Sequence, residues 1–130
     1  MKPPVSNPVV LVVDDDAVSL EVARERVERC GYQAEVRDTA IGTSQWILQY
    51  QPHVVLLDLE MPFLGGAELA RIIQRAQLPT RIVLHSGKPQ RELDQIARAM
   101  GVAGAISKEV GEELFARQLA RHVAAFGGRA

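Results

Sequence analysis

Three aspartates, Asp14, Asp15 and Asp16, follow directly on the apolar run Val9–Val13, and a fourth, Asp58, follows directly on Val54–Leu57. Continuous apolar runs of this length read as strands buried on both faces. Carboxylates gathered at the ends of such strands are expensive unless something positive neutralises them. Like charges in one crevice raise one another's pKa or bind a cation. The acids therefore point to a divalent-metal site. Two more apolar runs end in groups that could serve it: one leads into Ser86-Gly87, the other into Lys108.

The elements that must position these groups alternate along the chain. The first strand covers about Val9 to Val13. A helix follows from about Ala17 to Cys30, with Leu20, Ala23, Val27 and Cys30 on one stripe and Asp16 at its N-cap. Gly31 stops it, and Gln33 to Arg37 is a short second strand. Thr39 is placed to cap a second helix running to about Gln51, which Pro52 ends. His53 to Leu57 is the third strand. Gly65-Gly66 opens a third helix with Leu69, Ile72, Ile73 and Ala76 on one face, broken by Pro79. Arg81 to His85 is the fourth strand. Pro89 suits the first turn of a fourth helix carrying Leu93, Ile96, Ala97 and Met100, which Gly101 ends. Gly104 to Ser107 is a short fifth strand, and a last helix covers about Gly111 to Phe126, with Phe115, Leu119, Val123 and Phe126 inward.

This alternation demands a parallel sheet with helices on both faces. The expected class is α/β: a flavodoxin-like (βα)5 doubly wound sandwich with a five-stranded parallel sheet of order 2-1-3-4-5. Ligands of such sheets bind outside the carboxyl ends of the strands, at the switch point between the first and third strands. Those two strands end in Asp14-Asp15 and Asp58. Asp14, Asp15, Asp58, Ser86 and Lys108 are thus expected to share one crevice.

Composition bounds the rest. The 130 residues suffice for one domain, with 47% hydrophobic and 24% charged residues, an ordinary globular balance. A net charge of −1 gives no basic field to attract nucleic acid or an anionic membrane. Cys30 is the only cysteine, so no disulfide or thiolate cluster forms, and a cytoplasmic location is expected. No apolar stretch is long enough to span a membrane. The expected boundaries are a loose tail over 1–8, one domain over 9–126 and a C-terminal tail or linker over 127–130.

The sequence resembles the receiver domain of bacterial two-component response regulators. The matching pieces are Val12-Val13-Asp14-Asp15, Asp58-Leu59-Glu60-Met61-Pro62 with Gly66, Leu84-His85-Ser86-Gly87, and Gly104-Ala105-Ile106-Ser107-Lys108. The resemblance implies that Asp58 is the phosphoacceptor, a carboxylate nucleophile forming an acyl phosphate. It implies Mg²⁺ (or Mn²⁺) on Asp15, Asp58 and the backbone carbonyl of Glu60, with Asp14 acting through water. Lys108 would pair with the phosphoryl oxygens, and Ser86 would hydrogen-bond them as a switch. The implied partners are a histidine kinase or phosphotransfer protein and an output domain or protein. The latter would dock on the face made by the fourth helix, fifth strand and fifth helix, with a homodimer as an option. Apart from its own phosphorylation and dephosphorylation, no enzymatic activity is expected.

Two departures from the family pattern stand out. Glu109 follows Lys108 where the family has a cis-proline. A cis bond before a non-proline costs ~3 kcal/mol, so either a trans peptide with a reshaped loop or retained strain is expected. Ala105 stands where the family carries a switch tyrosine or phenylalanine. The resemblance also implies that Glu60 and Lys88 flank the path of a hydrolytic water, where their opposite charges could pair and slow loss of phosphate.

Other residues have plain structural readings. Pro62 and the glycines shape the loop after the third strand. Trp46 is partly buried core, and Tyr50 covers the same helix surface. His85 is a strand histidine satisfied by a neighbour, aimed away from Ser86. Two other functions compete: an interaction module of this fold that needs no phosphate, and a Mg²⁺-dependent phosphatase with an aspartate nucleophile. The order of the acids, with Asp14-Asp15 before Asp58, argues against the phosphatase.

Overall fold

The computed structural model describes residues 7–61 and 64–126. The expectations for residues 1–6, Pro62 and 127–130 lie outside them. Strands and helices alternate throughout: β1 Val9–Val13, α1 Ala17–Arg29, β2 Gln33–Arg37, α2 Thr43–Tyr50, β3 Val54–Leu57, α3 Gly66–Arg75, β4 Arg81–Leu84, α4 Gln90–Met100, β5 Gly104–Ala105 and α5 Glu112–Ala124. All strand pairs are parallel, in the order β2-β1-β3-β4-β5. This is the expected flavodoxin-like doubly wound sandwich.

Strand alternation divides the core in two. Val10 and Val12 of β1, with Val54 and Leu56 of β3, pack toward Ala23 and Val27 of α1 and Phe115 and Leu119 of α5. Leu11, Val13, Val55 and Leu57 face the other way, onto Ile47 of α2 and Leu69 and Ile73 of α3. A smaller cluster of Leu84, Leu93, Ala97 and Ala105 closes the sheet at β4–β5 under α4. The register pairs Val13 with Leu57 and Leu57 with Leu84. The residues that follow these positions must therefore emerge side by side.

Five elements depart from the sequence expectation. α2 begins at Thr43 rather than after Thr39, with left-handed Gly42 (φ 79°) as its N-cap residue. Thr39 instead folds a turn: its hydroxyl accepts from the Ile41 amide at 3.1 Å and its carbonyl from the Thr43 hydroxyl at 2.8 Å. Ile72 and Ala76 are exposed, because α3 buries only Gly66, Leu69, Ala70 and Ile73. β3 starts at Val54 and β4 ends at Leu84, each one residue short of expectation. β5 is two residues long, since Ser107 turns away to bond with Gln90 and Lys88. The ladder nonetheless continues beyond it: the Ile106 amide donates to Leu84 at 2.8 Å and the Lys108 amide to Ser86 at 2.8 Å.

Candidate functional site

The carboxyl ends of β1, β3, β4 and β5 converge on one crevice, and the sheet ladder sets its spacing. The Asp14 amide donates to the Arg37 carbonyl at 3.1 Å, and the Asp58 amide donates to the Val13 carbonyl at 3.0 Å. One carboxylate oxygen from each of Asp14, Asp15 and Asp58 lies within 4.8 Å of the other two. Asp14 and Asp58 are buried, whereas Asp15 is exposed at the mouth. Asp16 does not join them: its carboxylate accepts from the Ser19 amide at 2.8 Å and caps α1.

Lys108 reaches into this cluster. Its ammonium donates to Asp14 Oδ2 at 2.7 Å and to Ser19 Oγ at 2.9 Å, and stands 3.8 Å from Asp58 Oδ1. The other oxygen of Asp14, Oδ1, accepts from the Asp16 amide at 3.0 Å. Asp14 is thus engaged on both oxygens and anchors the lysine. Asp58 is the least neutralised acid of the buried pair. Burial pushes its carboxyl up to about 6 from an ordinary 3.8; Lys108 opposes the rise, Asp14 adds to it, a backbone hydrogen bond at Glu60 opposes it, and Asp15 adds to it.

Three carboxylates of this kind present only hard oxygen donors. That set suits Mg²⁺, which takes few carboxylates and keeps waters, and does not suit a metal preferring thiolate or imidazole. Gly66, at the start of α3, permits the close packing beneath: a Cβ there would run into the Asp58 carbonyl oxygen and lie 2.9 Å from Leu59 Cα. Ser86 is buried beside the crevice, its hydroxyl accepting from the Lys88 amide at 3.4 Å. At the rim, the Lys88 ammonium lies 4.0 Å from Glu60 and 3.6 Å from Glu92, so it is shared between two acids.

The loop carrying Lys108 is held by groups that a reading of motifs misses. No cis peptide occurs among the described residues, so Lys108–Glu109 is trans. Arg26, buried on α1, donates from Nη2 to the Val110 carbonyl at 2.6 Å, from Nη1 to the Lys108 carbonyl at 3.4 Å and from Nε to Glu112 at 3.0 Å. Its guanidinium lies 4.3 Å over the Phe115 ring. The signal was present: a charged residue between Ala23 and Val27 on an inward stripe needs a partner. Ser19, a helical turn after Asp15, carried no signal of its own. His85 follows β4 directly and is buried, with Nδ1 2.6 Å from the Ile106 carbonyl and its ring 5.7 Å from Phe115. Burial lowers it to about 4, so it is neutral and structural. Trp46 is half-buried and Tyr50 exposed, with rings 4.6 Å apart.

A sequence profile described as the response regulator receiver domain matches residues 10–120. The chain belongs to that family. Among curated relatives, a protein-glutamate methylesterase/protein-glutamine glutaminase of Symbiobacterium thermophilum is 35% identical over 106 residues, covering 75% of this chain and 28% of that protein. The virulence sensor protein BvgS of Bordetella pertussis is 30% identical over 122 residues, 88% of this chain and 10% of that protein. The chain therefore spans only a minor part of these relatives. Among solved structures, the BeF3-activated N-terminal receiver domain of Klebsiella pneumoniae RstA superposes with a TM-score of 0.78 at 22% identity, covering 88% of this chain and 97% of that one. The chain is a receiver domain of two-component signalling with an acidic cluster at the end of its sheet. Among the described residues no helix is long and apolar enough to cross a membrane.

Proposed function

We propose that Asp58 accepts a phosphoryl group from a phosphohistidine of a histidine kinase or phosphotransfer protein. A carboxylate oxygen of Asp58 attacks phosphorus, the P–N bond breaks with its electron pair passing to the imidazole, and the imidazole takes up a proton. An acyl phosphate on Asp58 results. With a pKa of about 6, Asp58 is ionised and nucleophilic near neutral pH. The observation that carries the reading is the trio of carboxylates within 4.8 Å together with Lys108 3.8 Å from Asp58.

Asp15, Asp58 and the Glu60 carbonyl would hold Mg²⁺ (or Mn²⁺), with Asp14 behind a bound water; the ion supplies positive charge against the incoming phosphoryl oxygens. Lys108 exchanges its contact with Asp58 for one with a phosphoryl oxygen while Asp14 keeps hold of it. Ser86 turns its hydroxyl from the Lys88 amide to the phosphoryl group, drawing in the loop before α4. Lys88 and Glu60 screen the attacking water and prolong the acyl phosphate. Because both are accessible to solvent and Lys88 is shared with Glu92, that effect stays within ~1 kcal/mol. The readout passes to an output domain or partner on the face of α4, β5 and α5, where Ala105 offers no aromatic side chain.

Beryllofluoride mimics the phosphoryl group on an aspartate. With Mg²⁺ it is expected to give a bound fluorine resonance that Asp58→Asn abolishes. Absence of a bound resonance in the parent protein would overturn the assignment.

A further inference from the structure

A cleft of about 510 Å³ runs along the outer edge of β5 between α4 and α5. It exists because β5 is made of Gly104 and Ala105, which project almost nothing outward. Three cationic or basic side chains line it: Arg81 from the start of β4, and Arg121 and His122 from the last turn of α5. Arg81 Nε and His122 Nδ1 are buried there and have no hydrogen-bond partner among the described residues. Buried donors and acceptors of this kind are almost always satisfied in native proteins, by the chain, by ordered water or by a bound group. Asp94, the cleft's acid, already accepts from Gln90 Nε2 at 2.9 Å.

We propose that this cleft receives a protein segment that inserts an aspartate or glutamate carboxylate between Arg81, Arg121 and His122. Charge complementarity selects the occupant. Arg81 and Arg121 outnumber the single, internally bonded Asp94, so the lining favours an anionic group. A small apolar ligand is disfavoured, because such sites are walled mainly by hydrophobic and aromatic side chains and this one is not. Burial lowers the pKa of His122, with Arg81 and Arg121 adding to the effect. An entering carboxylate would raise it again.

The cleft also touches the loop that leaves the acidic site. Gln90 lines it, donates from Nε2 to the Ala105 carbonyl at 2.8 Å and accepts from the Ser107 amide at 2.7 Å. Ser107 Oγ in turn donates to the Lys88 carbonyl at 2.7 Å. The proposal deepens the receiver reading by naming the partner's chemistry, and it rests on that reading only for its dependence on phosphorylation.

The test is selection from a random peptide library displayed against the full chain, with Mg²⁺ alone and with Mg²⁺ plus beryllofluoride. Selected peptides are then measured by fluorescence anisotropy. Enriched sequences are expected to share an aspartate or glutamate. Arg121→Glu, or replacement of that acid by its amide, is expected to weaken binding on the order of tenfold. Gly104→Ala gives a second route: its Cβ would lie 2.8 Å from His122 Cε1, so the ring must shift from its place in the cleft lining, and peptide binding is expected to weaken. Selection of no peptide, of acid-free peptides, or of peptides indifferent to Arg121→Glu overturns the proposal. So does self-association of the chain through this face, seen by sedimentation and broken by Arg121→Glu. The bound fluorine resonance of beryllofluoride is recorded on the same samples. Its absence with acidic peptides still binding refutes the receiver chemistry and leaves the cleft; its presence without acidic peptides refutes the cleft alone.

Discussion

Asp58→Asn should make the protein more stable, and by an amount that depends on pH. Asp58 is 8% exposed and its carboxyl is raised from 3.8 to about 6 in the folded protein. The folded state therefore holds this proton more tightly than the unfolded chain does. Ionising Asp58 weakens the fold progressively as pH rises from about 4 to about 6, and the loss is complete above that range. At 1.36 kcal/mol per pH unit, the gap amounts to roughly 3 kcal/mol. Asparagine keeps the shape and carries no charge. Urea unfolding of both proteins without Mg²⁺ should show a gain for Asp58→Asn of about 3 kcal/mol at about pH 7.5, shrinking toward zero near pH 4. Saturating Mg²⁺ should narrow the gap, since binding to the parent at one hundred times its Kd adds about 2.7 kcal/mol to that protein alone. A gain that is absent, or the same at both pH values, refutes the account of Asp58 as a buried, under-neutralised acid.

Other perturbations test the supports of the site. Arg26→Met should destabilise the fold by about 2–4 kcal/mol, because it orphans the Val110 and Lys108 carbonyls and the contact with Glu112; chemical denaturation measures this, and a change below ~0.5 kcal/mol contradicts it. Gly66→Ala should cost about 1–3 kcal/mol and weaken Mg²⁺ binding, since its Cβ overlaps the Asp58 backbone; calorimetric titration with the metal checks the second part. Mg²⁺ affinity should fall as pH drops through about 6, where Asp58 takes up its proton; an affinity flat from pH 7.5 to pH 5 (both about) is the contrary result. Lys88→Ala should speed loss of the acyl phosphate by no more than about fivefold, the limit for a solvent-accessible pair; phosphate-release kinetics decide it.

Much of this architecture was legible because its strands are unbroken apolar runs. Val9–Val13 and Val54–Leu57 are short, Val-rich apolar runs that read as buried strands, and once both are placed, parallel topology brings Asp14 and Asp58 together. What escaped lies where side chains replace backbone signals. Thr39 looked like a helix cap, yet a left-handed Gly42 lets the chain take a further turn before α2 begins. Ile72 fits the apolar period of α3, but α3 buries a narrower stripe of Gly66, Leu69, Ala70 and Ile73 and leaves Ile72 exposed. The trans link after Lys108 was one of two options in the sequence; its means of support, Arg26, is long-range, bonding to residues more than eighty positions away. No local pattern encodes such a contact. The cleft beside β5 was likewise visible only as an absence, the small side chain at Ala105. The cations around it come from β4 and α5 and meet only in the folded protein.

The most direct test of the central claim is site mapping of phosphorylation. The protein is incubated with acetyl phosphate and Mg²⁺, the acyl phosphate is trapped by borohydride reduction, and the modified residue is located by peptide mass spectrometry. The account predicts a single modified position, Asp58, with incorporation lost on chelation of Mg²⁺ and sharply slowed in Lys108→Ala. Modification at Asp14 or Asp15, or none at Asp58 with Mg²⁺ present, would contradict it.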